Sequence, residues 1–207
     1  MSTLQQVAAA AKPQDDFVLV LIGHGSYDGF EYKFDLPGPD ISGAQLAEVC
    51  NRIASRRQLI VNTTSASGGS VAALQRAGRA VIAATKTGTE KNATVFARFW
   101  VEALQDPAAD LDKNEAISAG EAFQYADRKT GEFYTSQQRL ATEHPVFEDI
   151  GTGDAVRTAS VDNGEGRSSQ TCGQPETAAP RRQLVADMQQ SAHRIVRDFV
   201  RVVQNLD

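Results

Sequence analysis

Two side chains able to carry out acid–base and nucleophilic chemistry follow apolar segments of the sequence. His24 comes directly after "FVLVLIG", and Ser65 comes directly after "QLIVNTT". A hydroxyl beside an imidazole is the nucleophile–base arrangement of acyl transfer, in which the base takes the hydroxyl proton. Backbone N–H groups at Gly25 and Ser65 are candidate donors to an oxyanion. The candidate catalytic set is therefore His24, Ser65 and Gly25.

This chemistry requires two neighbouring parallel strands that end side by side. Residues 17–22 and 58–62 are continuous apolar runs, typical of strands buried on both faces, and residues 79–85 form a third strand. The carboxyl ends of parallel strands meet at one edge of a sheet, where the sites of α/β proteins gather. Helical patterns alternate with the strands, at residues 3–11, 40–54, 70–78, 92–105 and 119–140. The alternation predicts an α/β fold with a mostly parallel sheet.

Local signals predict how the chain enters and leaves these elements. Asp40 or Ser42 caps the helix over 40–54, and Gly78 ends the helix over 70–78. Residues 31–35 alternate like one strand of a hairpin. Cys50 lies within a helical pattern, and we expect it to act there as a small buried apolar residue.

The glycines around His24 also invite a nucleotide-binding interpretation. "GHGSYDG" follows a strand and is close to the glycine-rich dinucleotide fingerprint. That fingerprint works only when a helix N-terminus follows and directs its N–H groups at the phosphates. Here "FEYKFDLPGPD" follows, which is hairpin-like and then broken by prolines, so this interpretation is excluded. For Ser65 the alternative is that "TTSASGGS" is a polar turn capping the next helix, and spacing alone does not decide.

The ordered set of motifs resembles the caspase–legumain clan of cysteine peptidases. In that clan a His-Gly pair ends one strand and an Ala-Cys-x-Ser-Gly type sequence ends the next. Here "TSASG", residues 64–68, has Ser65 where the nucleophilic Cys stands. "VIAATKTGTEKNA" resembles the clan's next strand and the substrate-facing loop after it. "DKNEAISAGEAFQYADRK" and "TEHPVFEDIGTGDA" resemble the later helix and closing segment of bacterial legumain-like proteins, so the resemblance covers roughly residues 4–154. It implies a three-layer caspase-like fold acting on a peptide or protein, with no cofactor required.

The serine at position 65 departs from the clan and bears on the mechanism. A thiolate is intrinsically nucleophilic and partly ionised near neutral pH, whereas a serine hydroxyl needs a well-aimed base. Three alternatives are open: a natural pseudoenzyme, an engineered inactive variant, or a working serine hydrolase. The hydroxyl-rich stretch "NTTSASGG" favours the natural pseudoenzyme. A different class of function is a non-catalytic module that binds peptides or partners through the retained cleft.

A second departure concerns the first strand. The resemblance implies a strand upstream of residues 2–12, inside the sheet, which this sequence lacks. Either a longer parent chain or a partner supplies it, or the sheet is rebuilt without it. An unpaired sheet edge invites association, so a partner or a parent chain is expected. The N-terminal residues lack the apolar core of a signal peptide, so the chain as written is expected to be cytoplasmic, unless a leader precedes it.

A separate motif matches a twelve-residue calcium loop. Asp110, Asp112, Asn114 and Glu121 have the ligand spacing, with Ile117 at the usual apolar position. Glu115 stands where such a loop uses glycine for a left-handed turn. The alternative is a loop between helices, with Glu121 in the first turn of the second helix, where its charge suits the helix dipole.

Composition and charge narrow the class of partner. The chain has 207 residues and a net charge of −5, which argues against a nucleic-acid partner. It has no apolar run long enough to span a membrane. We divide it into a domain over 1–154, a Gly/Ser/Thr/Pro-rich linker over 155–180 and an amphipathic helix over 181–207.

Overall fold

The computed structural model describes residues 2–150 of the chain. Residues 151–154 of the predicted domain, the predicted linker over 155–180 and the predicted helix over 181–207 lie outside these described residues. The helices are α1 (Ser2–Ala10), α2 (Gly43–Asn51), α3 (Gly68–Leu74), α4 (Phe96–Ala103) and α5 (Ala119–Ser136). The strands are β1 (Asp16–Leu21), β2 (Gly25–Tyr27), β3 (Tyr32–Phe34), β4 (Ile41–Ser42), β5 (Arg57–Asn62), β6 (Arg79–Ala83) and β7 (Val146–Asp149).

The main sheet has four strands in the order β1-β5-β6-β7. β1, β5 and β6 are parallel, and β7 runs antiparallel to β6. Leu21 at the end of β1 lies opposite Asn62 at the end of β5, and Asn62 lies opposite Ala83. The carboxyl ends of the three parallel strands therefore meet at one edge, and the predicted α/β fold with a mostly parallel sheet is confirmed.

Helices cover both faces of this sheet because side chains alternate along each strand. Ile60 and Val81 pack into one apolar cluster with buried residues of α2 and α3. Val61 and Ile82 pack on the opposite face with buried residues of α4 and α5. Each such side chain contributes about 1.5–3 kcal/mol when fully buried, so the two central strands anchor the core on both sides.

Hydroxyl and amide side chains define the starts of α2 and α5. The Ser42 side chain accepts a hydrogen bond from the backbone N–H of Gln45, and the Gln45 side chain accepts one from the backbone N–H of Ser42. Ser118 and Glu121 make the same reciprocal contact at α5. These are capping boxes, which satisfy backbone donors that a helix start leaves free. Ser42, rather than Asp40, is therefore the cap of α2.

The predicted role of Gly78 as a helix stop is wrong. α3 ends at Leu74, and Gln75 already has an extended ψ of 132°. Gly78 has φ +79° in the turn that leads into β6, and a Cβ there would lie 2.6 Å from the carbonyl oxygen of Arg56. The glycine is required by this turn, since a side chain has neither room nor a favoured conformation.

Several other boundaries and burial patterns differ from the predictions. α4 begins at Phe96 instead of Asn92, and α5 ends at Ser136. β1 lies at the edge of the described sheet, so Val18 and Ile22 are 42% and 45% exposed rather than buried. The predicted hairpin strand is β3, which pairs with β2 and β4 in a small antiparallel sheet. Among the described residues, no helix has the length and apolar character needed to cross a membrane.

Candidate functional site

His24 and Ser65 both follow the carboxyl ends of adjacent strands, β1 and β5. Thr63 extends the pairing of these strands, since its backbone N–H and its hydroxyl both donate to the carbonyl oxygen of Leu21, at 3.0 and 2.7 Å. His24 then leads directly into β2, and Ser65 lies in the loop between β5 and α3. The fold therefore brings the two loops that carry the predicted catalytic residues to the same edge of the sheet.

The two loops touch at Gly25 and Ser65. The Ser65 hydroxyl donates a hydrogen bond to the carbonyl oxygen of Gly25, at 2.8 Å. A Cβ on Gly25 would lie 2.4 Å from Thr64 Oγ1 and 2.6 Å from the carbonyl oxygen of Ser65. Only glycine permits this approach, so Gly25 has a steric role in bringing the loops together.

The Ser65 hydroxyl donates to this carbonyl and makes no hydrogen bond with the predicted base, His24. His24 is exposed, and its imidazole has no hydrogen-bond partner among the described residues. In a serine triad, a carboxylate bonds to the imidazole and orients it. Within residues 2–150, no carboxylate makes this contact with His24. A hydroxyl that donates to a carbonyl has no base ready to remove its proton, so this arrangement does not activate Ser65.

The backbone pairing indicates whether the two predicted amide donors are already engaged. The backbone N–H of Asp35 donates to the carbonyl oxygen of His24, at 3.1 Å, which makes Gly25 and Phe34 a non-hydrogen-bonded pair. The N–H and C=O of Gly25 therefore both point away from β3, and the C=O is the group that contacts Ser65. The N–H of Ser65 has no acceptor among the residues that the structure describes. Within the described residues, neither amide is bonded to an acceptor.

A buried network of hydroxyl and amide groups supports the loop that carries Ser65. Thr64 Oγ1 lies 2.7 Å from the Tyr32 hydroxyl and donates to Asn62 Oδ1 at 2.9 Å. Asn62 Nδ2 donates to Ser70 Oγ at 3.0 Å, and the Ser70 hydroxyl donates to the carbonyl oxygen of Ser67 at 2.7 Å. All five residues are almost fully buried. The hydroxyl-rich sequence therefore has a structural role, because each polar group is paired.

Sequence reasoning missed most members of this network. Tyr32 and Thr64 are 32 residues apart, and nothing local in either segment indicates that they meet. Burial raises the pKa of Tyr32, with the hydrogen bonds to Thr64 and Asn62 opposing it. The one available signal was Asn62, a polar residue at the end of an apolar strand and beside the candidate serine. Polar residues at such positions need partners when buried.

The loop between β6 and α4 forms a further side of the site. The carbonyl oxygen of Glu90 accepts a hydrogen bond from the backbone N–H of Ala66, at 2.8 Å. Ala66 has φ +57°, a left-handed conformation that is uncommon for a residue other than glycine. The Thr94 hydroxyl donates to the carbonyl oxygen of Thr63, at 2.6 Å. The residues on both sides of the Thr64–Ser65 pair are thus bonded to this loop.

The three carboxylates among the four predicted ligands of the calcium loop lie close together. One carboxylate oxygen from each of Asp110, Asp112 and Glu121 lies within 4.8 Å of the others. Glu115 adopts φ +67°, so the left-handed turn that glycine usually provides forms with a glutamate. The side-chain oxygen of the fourth, Asn114, accepts from the backbone N–H of Ala116 at 2.9 Å.

The same carboxylates also stabilise the loop without an ion. Asp110 accepts from the backbone N–H groups of Asn114 and Glu115. Glu121 accepts from the N–H groups of Leu111 and Asp112 and from Ser118. Calcium binding stays a prediction. It is tested by calorimetric titration of Ca²⁺ into the wild type and the D112N variant, since Asp112 is exposed.

Two comparisons, with protein-family models and with curated proteins, give no relative for this chain. No protein-family model matches it, and no curated protein matches it. The resemblance to the caspase–legumain clan therefore depends on the quoted motifs, and function has to be argued from the geometry of the site.

Proposed function

We propose that this chain is a caspase–legumain-like domain in which Ser65 stands in the nucleophile position and His24 in the position of the base. We further propose that it is silent or weak as a peptide hydrolase. The observation that carries the proposal is the 2.8 Å hydrogen bond from the Ser65 hydroxyl to the carbonyl oxygen of Gly25. The serine lies beside the His-Gly pair, as the resemblance implies, while its proton is directed to a carbonyl.

The chemistry of the two nucleophiles explains why the substitution matters. A thiol at position 65 ionises readily near an imidazole, and the thiolate attacks without a base aligned to its proton. A hydroxyl needs the base within hydrogen-bond reach, about 2.6–3.2 Å, and the imidazole of His24 has no such contact with Ser65. The N–H groups of Gly25 and Ser65 would stabilise the oxyanion in either case.

A second candidate function is binding without cleavage. The N–H groups of Gly25 and Ser65 are open, and the His24 imidazole is exposed. Two N–H donors and an imidazole are suited to a peptide carbonyl or carboxylate, because all three are able to donate hydrogen bonds. The buried network beneath Ser65 fixes these donors in advance, which lowers the entropic cost of binding.

The experiment compares cleavage of a mixed peptide library by the wild type and by the S65C variant. We expect the wild type to cleave little or nothing and S65C to cleave measurably, because the thiol needs no aligned base. The double variant S65C/H24A is expected to lose that activity, because the thiol then has no imidazole near it that favours its ionisation. S26C is the matched control, because it adds a thiol to β2 of the same hairpin, two residues from His24.

Each outcome separates the candidate functions. Cleavage by S65C that disappears in S65C/H24A, with S26C inactive, supports the peptidase-like site. Equal cleavage by S26C and S65C contradicts the assignment of position 65. No cleavage by S65C contradicts the peptidase-like proposal, and binding of uncleaved library peptides that His24→Ala weakens then favours the binding module.

A further inference from the structure

Glu90 connects three segments of the chain through its side chain and its backbone. Its carboxylate accepts hydrogen bonds from the backbone N–H of Lys86, at 2.7 Å, and of His144, at 3.2 Å. The Nδ1 atom of His144 lies 2.6 Å from the same carboxylate. The Glu90 side chain is only 20% exposed. These contacts join the loop after β6 to the segment that precedes β7.

The backbone carbonyl of Glu90 contacts the residue after Ser65. It accepts from the N–H of Ala66 at 2.8 Å, and Ala66 is fully buried with φ +57°. The left-handed conformation costs a non-glycine residue roughly 1–2 kcal/mol, so surrounding contacts must maintain it. The hydrogen bond from the Ala66 N–H to the Glu90 carbonyl is one such contact.

The segment around His144 is itself anchored to the body. Glu143 accepts from the N–H groups of Val95, at 2.7 Å, and Phe96, at 3.2 Å, and from the Tyr134 hydroxyl at 2.9 Å. Glu143 is almost fully buried, so His144 extends from a fixed point between α4 and α5. A fixed His144 gives Glu90 a rigid attachment.

We propose that Glu90 is a positioning residue for Ser65. Its carboxylate fixes the loop against His144, and its carbonyl then maintains the left-handed turn at Ala66 and with it the orientation of Ser65. The contribution to catalysis rests on the proposed function, whereas the contribution to the conformation of Ala66 does not. Glu90 acts through Ala66 and does not take part in a reaction itself.

The first test measures backbone amide hydrogen exchange at Ala66 in the wild type and in the isosteric E90Q variant. The glutamine side chain has a single acceptor oxygen and turns an NH₂ group toward N–H donors, so it cannot reproduce the contacts of the carboxylate. We expect exchange at Ala66 to accelerate at least tenfold, while exchange at Val81 in β6 changes less than twofold. E132Q is the control, because it removes an exposed ion pair with Arg128 on α5.

The outcomes of this test are distinct. Unchanged exchange at Ala66 in E90Q overturns the proposal. Equal acceleration at Ala66 and Val81 also overturns it, because the effect is then global destabilisation. Acceleration confined to Ala66 and its neighbours, with E132Q like the wild type, supports it.

The second test uses peptide cleavage in the S65C background. We expect S65C/E90Q to have a kcat at least tenfold below that of S65C with KM changed less than threefold, because orientation of the nucleophile is lost and binding is not. S65C/E132Q should match S65C. If S65C is active and E90Q leaves kcat unchanged, the positioning role is wrong. If S65C is inactive, the proposed function fails, and exchange at Ala66 still decides the role of Glu90.

Discussion

The hydroxyl of Ser65 and the carbonyl of Gly25 illustrate how one contact determines what a residue is able to do. Ser65 follows a strand and lies beside a His-Gly pair, where the proposed resemblance places a nucleophile. Its hydrogen bond to a carbonyl gives its proton a partner that is not a base. The same contact depends on glycine at position 25, because the two loops approach more closely than a side chain permits.

We therefore predict that G25A destabilises the protein. The added Cβ would lie 2.4 Å from Thr64 Oγ1 and 2.6 Å from the carbonyl oxygen of Ser65, so the loops must separate. Overpacking of this kind costs about 1–3 kcal/mol in the free energy of unfolding. Urea denaturation measures it.

G131A on α5 is the matched control for that experiment. Nothing lies within 4 Å of a Cβ added at Gly131, and alanine favours the helix by roughly 0.5–1 kcal/mol. The two Gly→Ala changes should therefore have opposite signs. A G25A variant as stable as the wild type would show that the close contact between the loops is not required.

At the scale of the elements, Glu121 joins the start of α5 to the loop before it. Burial alone would raise the pKa of Glu121, but hydrogen bonds from Ser118 and from the backbone N–H groups of Asp112 and Leu111 outweigh it, and the pKa is lowered. The folded state therefore favours the ionised carboxylate. This contribution to stability is present above the ordinary pKa of 4.5 and is lost as the pH falls through the lowered value.

We predict that E121Q lowers the free energy of unfolding at pH 7 by about 2 kcal/mol, because the carboxylate loses charge-assisted hydrogen bonds. The difference in the free energy of unfolding between E121Q and the wild type should shrink as the pH falls below 4.5. The wild-type side chain also becomes neutral as the pH falls through its lowered pKa. Chemical denaturation from pH 7 to pH 3 measures this, with the exposed E132Q on the same helix as control. A difference that does not change with pH would contradict the assigned pKa direction.

Local sequence patterns predicted the main helices and strands, because each of these elements is specified by residues within one short stretch of the chain. Continuous apolar runs marked β1 and β5, and the small hydroxyl side chain of Ser42 marked the start of α2. Gly78 was misassigned because a glycine after a helix-like pattern serves a helix end and a tight turn equally well. β2 and β4 are too short, at three and two residues, to show a period.

The candidate site was predictable only in part. The alternation of strands with helices predicts that the strands are parallel. Parallel neighbours place His24 and Ser65 at the same edge of the sheet. The partner of the Ser65 hydroxyl was not predictable, because it depends on how β2 turns after His24. Two further contacts join residues far apart in sequence, and no local pattern encodes such contacts. They are the contacts of Tyr32 with Thr64 and of Glu90 with His144.

At the scale of the whole described body, the edge strand β1 is the feature most suited to association. β1 pairs with β5 on one side, and no strand of the described residues pairs with its other side. Val18 in this strand and Ile22 directly after it are exposed. An open strand edge with exposed apolar residues is a template for pairing with another strand, as the predicted partner or parent chain would supply.

We predict that the chain self-associates through the open edge of β1 and that V18K reduces this association, because lysine on an edge strand opposes the approach of a second strand. Sedimentation velocity over a concentration series measures it. V101K on α4 is the matched control, since Val101 is 41% exposed against 42% for Val18 and lies outside the sheet. Equal effects of the two lysines would mean that exposed apolar area, and not the strand edge, drives association.

We propose that Ser65 stands in the position of a nucleophile and lacks the activation of one. The most direct measurement is labelling of the wild-type protein by a fluorophosphonate, which reacts with activated serines, followed by mass spectrometry of the modified residue. We expect no labelling of Ser65, because its hydroxyl donates to the carbonyl of Gly25 and not to His24. Labelling of Ser65 that H24A abolishes would contradict the account and identify a working serine hydrolase.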